Sequence, residues 1–291
     1  MADTDSIRRF LFEHTGIRGN LVHLDASWRA VLDAHPYPEP VRTHLGQALA
    51  AVALLSATIK FDGSLILQVQ GAGPIRTLVA QATSARTVRG LARWDGAVPM
   101  GGDLGACFGE GRLVLTIERG GGEPYQGIVP LVGSGIAQAL GRYFEASEQI
   151  PTRLWLAADA GRAAGLLLQR LPGDGDADGD DWGRVGLLAA TVKPAELLGL
   201  PAMELLHRLF HEETVRLFDS EPLAFRCGCS RARIEDMLRV MGESEVQAIV
   251  TEQGALEVTC EFCNRPYRLD AVDADQLFAA SAPHQAPALR H

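Results

Sequence analysis

The chain has 291 residues, 47% of them hydrophobic and 22% charged, so it can bury a sizeable core as one large domain or two to three smaller ones. Its 36 acidic residues outnumber 27 basic ones, and the net charge of -9 repels phosphate backbones and anionic membranes. Neither a nucleic-acid partner nor a membrane partner is expected. Lys60 and Lys193 are the only lysines, a compositional bias that carries no functional weight because arginines are spread along the whole chain.

The first residues, MADTDSIRRFLFEHTG, interrupt any apolar run with Arg8, Arg9, Glu13 and His14, which is not the pattern of a secretory leader; a cytoplasmic protein is expected. Residues 41–59 read as a helix, and its alanine-rich part, ALAAVALLSATI, is too short to span a bilayer. Residues 64–70, SLILQVQ, alternate like a strand before the turn signal GAGP. Further strands are expected at 113–118, at 127–132 and in LWLAA from Leu154, with a helix over 134–147. There is no regular βαβ alternation, so the fold class is α+β, with an N-terminal layered core domain over residues 1–172.

An acidic loop, LPGDGDADGDDWG, follows. Asp174, Asp176, Asp178 and Gly179 match the first half of a calcium loop, but Val185 stands where the bidentate glutamate belongs, so the motif fails. With the helical pattern over 193–219, whose apolar stripe is Leu205, Leu206, Leu209, Val215 and Leu217, this loop forms a linker over residues 173–222.

Residues 223–291 read as a separate small domain. LAFRC suggests a strand, and Ser230 caps a helix carrying Ile234, Met237, Leu238 and Met241. A second helix opens at Ser244, with Gln247 completing a capping box, and stops at Gly254. LEVTC and YRLD then flank EFCNRP like a hairpin.

Four of the five cysteines lie in this domain, as Cys227 and Cys229 in CGC and Cys260 and Cys263 in CEFC. Four thiolates on two short knuckles can close a tetrahedron around zinc, and a reducing compartment favours metal or redox chemistry over standing disulfides. A thioredoxin-like CxxC should precede a helix, whereas Cys263 precedes NRPYRLD, which reads as turn and strand. A zinc ribbon docking nucleic acid conflicts with local charge, since residues 221–270 hold six arginines against nine acidic residues. Inert structural zinc and a redox switch both remain open. The one-residue spacing of Cys227 and Cys229 keeps two thiolates adjacent, and four thiolates on one divalent ion are electron-rich, which permits a switch.

No catalytic set is visible. Cys107, in LGACFGEG, reads as a small buried apolar residue. GAGP lacks the third glycine of a dinucleotide loop, and GSG at 133–135 lacks the spacing of a nucleophile elbow. His207 and His211 lack a third ligand and read as a solvated helix face.

With FRCGCSR and VTCEFCNRPY in place, the sequence resembles the 33 kDa chaperonin family across nearly its whole length. ATIKFDGSLILQVQGAGP, YQGIVPLVG, YFEASEQIPTRLWLA and LLHRLFHEETVRLFD carry the likeness as well. The resemblance implies a redox-regulated molecular chaperone and not an enzyme. Its reduced form would be inactive and would hold zinc on Cys227, Cys229, Cys260 and Cys263. It further implies that oxidation pairs Cys227 with Cys229 and Cys260 with Cys263, that zinc leaves, and that the C-terminal domain and linker unfold. The oxidised protein would then be a homodimer that holds unfolded or partly unfolded client proteins without ATP. The alternative is a zinc-ribbon interaction module whose metal is purely structural.

Overall fold

The structure, a computed structural model, describes residues 4–120, 122–172 and 180–279. The acidic stretch 173–179, including the failed calcium-loop positions Asp174, Asp176, Asp178 and Gly179, lies outside the described residues. The chain divides into two compact units, Met1–Arg226 and Cys227–His291.

In chain order the first unit contains β1 (Ser6–Phe12), β2 (Ile17–Leu24), α1 (Ala26–Leu32), α2 (Glu39–Thr58), β3 (Gly63–Gly71), β4 (Ile75–Thr83) and β5 (Thr87–Trp94). These are followed by α3 (Leu104–Phe108), β6 (Gly111–Arg119), β7 (Tyr125–Pro130), α4 (Ile136–Ala146), β8 (Thr152–Ala158) and β9 (Ala163–Arg170). The unit closes with α5 (Asp180–Ala189), α6 (Pro194–Gly199), α7 (Ala202–Phe210), β10 (Val215–Pro222) and β11 (Ala224–Phe225). A five-stranded antiparallel sheet runs in the order β10-β1-β2-β9-β8. A six-stranded sheet runs β11-β5-β4-β3-β6-β7, antiparallel except where β11 joins β5 in parallel.

Helix α2 explains the layering. Its residues from Ala48 to Ser56 are all buried, and a helix that is apolar on every side needs partners on every side. It packs against strands of both sheets, and small side chains such as Ala50, Ala51 and Ala53 let those strands approach closely. The other face of the five-stranded sheet is also covered: Phe10, Phe12, Ile17, Leu166 and Leu168 pack against Val185 and Ala189 of α5, Leu197 of α6 and Leu205, Leu206, Leu209 and Phe210 of α7. Strand β9 is therefore buried on both faces, with Ala163 and Leu167 in the α2 core and Ala164, Leu166 and Leu168 in the second core.

The sequence reading of a helix through residue 219 fails after α7. Val215–Pro222 is a strand, the edge of the five-stranded sheet, paired antiparallel with β1. The physical reason is spacing: Val215 and Leu217 are two residues apart, which puts them on opposite sides of a helix but on one face of a strand. Both pack partly against the second core.

The second unit contains α8 (Arg231–Met241), α9 (Glu243–Gln253), β12 (Leu256–Thr259), β13 (Pro266–Leu269) and α10 (Ala271–Ala279). The Ser230 cap and the hairpin form as expected: Ser230 accepts a hydrogen bond from the Arg233 N–H at 3.3 Å, and β12 pairs antiparallel with β13. Gly254 ends α9 in the left-handed region at φ 77°. Two details differ. Helix α9 starts at Glu243 with Gly242 as its cap, because the Gln247 side chain donates to Asp275 Oδ1 at 2.7 Å and so ties α9 to α10. Of the expected apolar face of α8, Leu238 is buried and Ile234 packs at the edge, while Met237 and Met241 remain exposed. Among the described residues the core cluster of this unit is Leu238, Val246, Val250, Leu256, Leu269, Ala274 and Leu277.

Gly19, opposite Phe10 across β1 and β2, has no room for a side chain: a Cβ there would lie 2.0 Å from the Phe10 ring. The G19A variant is expected to lose about 1–3 kcal/mol as the ring is driven off its site. G183A, on α5 where an added Cβ meets nothing within 4 Å, should be neutral or slightly stabilising. Urea unfolding midpoints of the two variants check the contrast.

Candidate metal centre

Two knuckles build the site. In the first, Cys227, Gly228 and Cys229 lead directly into the Ser230 cap of α8, so the helix start fixes the direction of the CGC loop. In the second, the chain leaves β12 and turns through Cys260–Asn264, closed by the Asn264 N–H donating to the Cys260 carbonyl at 2.7 Å. The Cys260 N–H donates back to the Arg265 carbonyl at 2.9 Å, and Asn264 takes the left-handed conformation at φ 55° before β13 begins. The hairpin thus folds the CxxC segment into a tight loop that presents both of its thiols on one side.

The four sulfurs of Cys227, Cys229, Cys260 and Cys263 all lie within 4.8 Å of one another. The Cys227 and Cys260 sulfurs are 3.5 Å apart, and those of Cys229 and Cys263 are 3.4 Å apart. A regular tetrahedron of thiolates about 2.3 Å from zinc has edges of about 3.8 Å, so the donor set fits this ion in number, chemistry and spacing. All four cysteines are free thiols, half-buried.

Their surroundings favour sulfur anions at some positions more than others. Burial pushes the Cys227 thiol up to about 12, against a lowering hydrogen bond from the Cys229 backbone. Burial acts the same way on Cys229, but hydrogen bonds from the Tyr267 hydroxyl, at 3.2 Å, and from the neighbouring thiols outweigh it and bring this thiol down to about 7. Burial raises Cys263 as well, opposed by a hydrogen bond from the Arg265 backbone. A backbone group therefore lowers a thiol in the one-residue knuckle as well as in the two-residue one. Arg233 reaches over the CGC loop, its guanidinium 2.9 Å from where a Gly228 Cβ would lie.

The remaining candidates are elsewhere. Cys107 is fully buried in the first unit, its sulfur 3.3 Å from His44 Nε2, and burial together with Asp103 raises its thiol. His207 and His211 sit on the exposed side of the chain around α7 with ring centroids 6.1 Å apart, and no metal-ligating cluster other than the four cysteines occurs among the described residues. In GAGP, Gly73 donates its N–H to the Phe108 carbonyl at 2.6 Å, and a Cβ there would collide with the backbone at Phe108 and Gly109; the glycine admits α3 and not a phosphate. Tyr267 was not legible as part of the site. Its signal is its position on the strand returning from the second knuckle, where it can reach back to Cys229.

Comparison with known proteins agrees with this geometry. The model of the Hsp33 protein family matches residues 5–270. The chain is 58% identical to a 33 kDa chaperonin of Nitrosococcus oceani over 291 residues, covering 100% of both proteins. It is 47% identical to that of Methylobacillus flagellatus, again over 100% of both. It is also similar to the crystal structure of the 33 kDa chaperonin (heat shock protein 33 homolog) from Thermotoga maritima, with a TM-score of 0.83 and 25% identity, covering 95% of this chain and 99% of that one. Full-length likeness in sequence and fold, joined to the four-cysteine cluster, places the chain in the Hsp33 family of chaperones rather than in a family of enzymes.

Proposed function

We propose that the protein is a redox-regulated holdase of the cytoplasm, quiescent when its four cysteines hold zinc and active toward unfolding proteins once those cysteines are oxidised. The observation that carries this reading is the mismatch between the second unit and its core. A domain of about 65 residues whose core cluster, among the described residues, has seven buried apolar side chains rarely gains more than about 3–5 kcal/mol from packing. Bound zinc supplies a cross-link between the two knuckles worth on the order of 10 kcal/mol, so the fold of this unit depends on the ligands that hold the ion.

Oxidation consumes those ligands. Each pair of thiols gives up two protons and two electrons to a peroxide, forming one disulfide and two waters. The closest sulfurs in the folded unit belong to different knuckles, yet we assign the disulfides to Cys227 with Cys229 and Cys260 with Cys263. Cross-knuckle pairs are 33 and 34 residues apart in sequence and meet only while the unit is folded, whereas partners within a knuckle stay adjacent in any conformation.

Loss of this unit is proposed to loosen the linker, residues 173–222, ahead of it. Helices α6 and α7 cover the outer face of the five-stranded sheet through Leu197, Leu205, Leu206, Leu209 and Phe210. Lifting them would bare both this stripe and the Phe10, Phe12 and Leu168 surface beneath, an apolar patch suited to unfolded clients and to self-association as a dimer.

The reduced protein is expected to carry one zinc per chain, and peroxide at elevated temperature should release it while suppressing aggregation of a thermally unfolding client. Zinc retained in full alongside undiminished holdase activity would overturn the switch and favour a purely structural metal. Thiol counting should fall from five to one, leaving Cys107, and peptide mapping should find the two within-knuckle disulfides; a Cys227–Cys260 or Cys229–Cys263 product would contradict the assignment. Replacing one ligand, C260S, should lower zinc affinity by at least tenfold and unfold the second unit even under reducing conditions, read by metal titration and by proteolysis after residue 226.

A further inference from the structure

A cavity of about 330 Å³ opens in the first unit beside the end of α2, bounded by β3, β6, β7 and α4. Its walls are apolar, with Leu55, Leu65, Leu115, Ile117 and Phe144 among them, and its volume lies in the range of small-molecule sites. One feature is out of place in such walls. Arg18, on β2, is half-buried there without an acidic partner among the described residues.

Its geometry is fixed from behind. Arg18 Nε and Nη2 donate to Gln169 Oε1 at 3.1 and 2.6 Å, and Nη2 also donates to the Thr58 carbonyl at 3.3 Å. Gln169 is itself buried at 1% exposure and is held by donating from Nε2 to Thr152 Oγ1 at 3.1 Å. These acceptors are neutral. They satisfy donors without cancelling charge, and burial alone lowers the Arg18 pKa with nothing acidic to offset it.

The carboxylate that also lines the cavity does not fill this role. Glu148 Oε1 accepts from Tyr125 at 3.0 Å and from Tyr143 at 2.8 Å, and it forms no ion pair with Arg18. Arg119 contributes a second, exposed guanidinium at the lining. Two cations and one anion leave one positive charge in an apolar chamber.

We propose that this cavity binds a small apolar monocarboxylate, its carboxylate on the Arg18 guanidinium and its hydrocarbon body against the leucine and isoleucine wall. A single negative charge matches the excess, and Arg18 Nη1, which takes no part in the bonds to Gln169 and Thr58, is left to donate to a carboxylate oxygen. A phosphate, with two charges, would overfill the balance and find few further donors. The site is remote in sequence from the cysteines, and it does not depend on the redox reading.

The test uses the full-length reduced protein and sodium octanoate, with octanol and octylammonium as matched probes of equal chain length, by isothermal calorimetry below micelle concentrations. Octanoate should bind one per chain at least tenfold more tightly than octanol, and octylammonium should not bind. The R18Q variant should reduce octanoate binding to the octanol level. Should R18Q fail to fold, nuclear Overhauser contacts between octanoate and the Ile117 methyl groups of the unaltered protein decide the location. Equal binding of octanoate and octanol, binding of octylammonium, or contacts confined to other surfaces would overturn the proposal.

Discussion

Four sulfurs within 4.8 Å of one another are the constraint on which the second unit depends. Both knuckles are short loops whose ends are set by regular structure, α8 on one side and the β12–β13 hairpin on the other. Bringing them together closes a long stretch of chain, and the small core gives little return for that ordering. The ion pair of Arg231 with Asp273 ties α8 to α10 and that with Glu235 lies within α8, but both are at the surface and contribute little. A metal ion held by the four thiols would therefore dominate the local energetics and tie the unit to the state of its sulfurs.

The first unit is organised on the opposite principle. Helix α2 is enclosed by two sheets, and a second apolar layer beneath α5, α6 and α7 covers the far face of one of them. No single contact there is decisive, because burial is shared across two extensive clusters. Within this robust framework the outer layer is distinctive: it comprises the segment just ahead of the cysteine unit, and β10 joins it to the sheet as an edge strand. A stable core beneath a separate apolar cover is the arrangement on which the proposed activation draws.

Much of the site was legible because its signals are local. The spacing of Cys227, Cys229, Cys260 and Cys263, the Ser230 cap, the Gly254 stop and the strand–turn–strand pattern around EFCNRP each concern residues close in sequence, where steric and hydrogen-bonding rules act without knowledge of the fold. Legibility failed where distant partners intervened. Val215 and Leu217 read as a continuation of a helical stripe until pairing with β1 made them strand residues. Gln247 read as half of a capping box, but Asp275 claims its amide. The strands β1, β2 and β9 lack clean alternation because both faces of their sheet are covered, so their periodicity is filled in.

The sequence by itself determined the α+β class, the four-thiol donor set and the family likeness, since composition, ligand spacing and motif identity survive without coordinates. Only the tertiary structure decided that Tyr267 donates to Cys229, that Cys107 lies beside His44, and that Arg18 stands in an apolar cavity without a carboxylate partner among the described residues. The physical reason is range. A knuckle or a cap is built from neighbours along the chain, whereas the electrostatic setting of a side chain depends on which distant groups the fold places around it and which it leaves away.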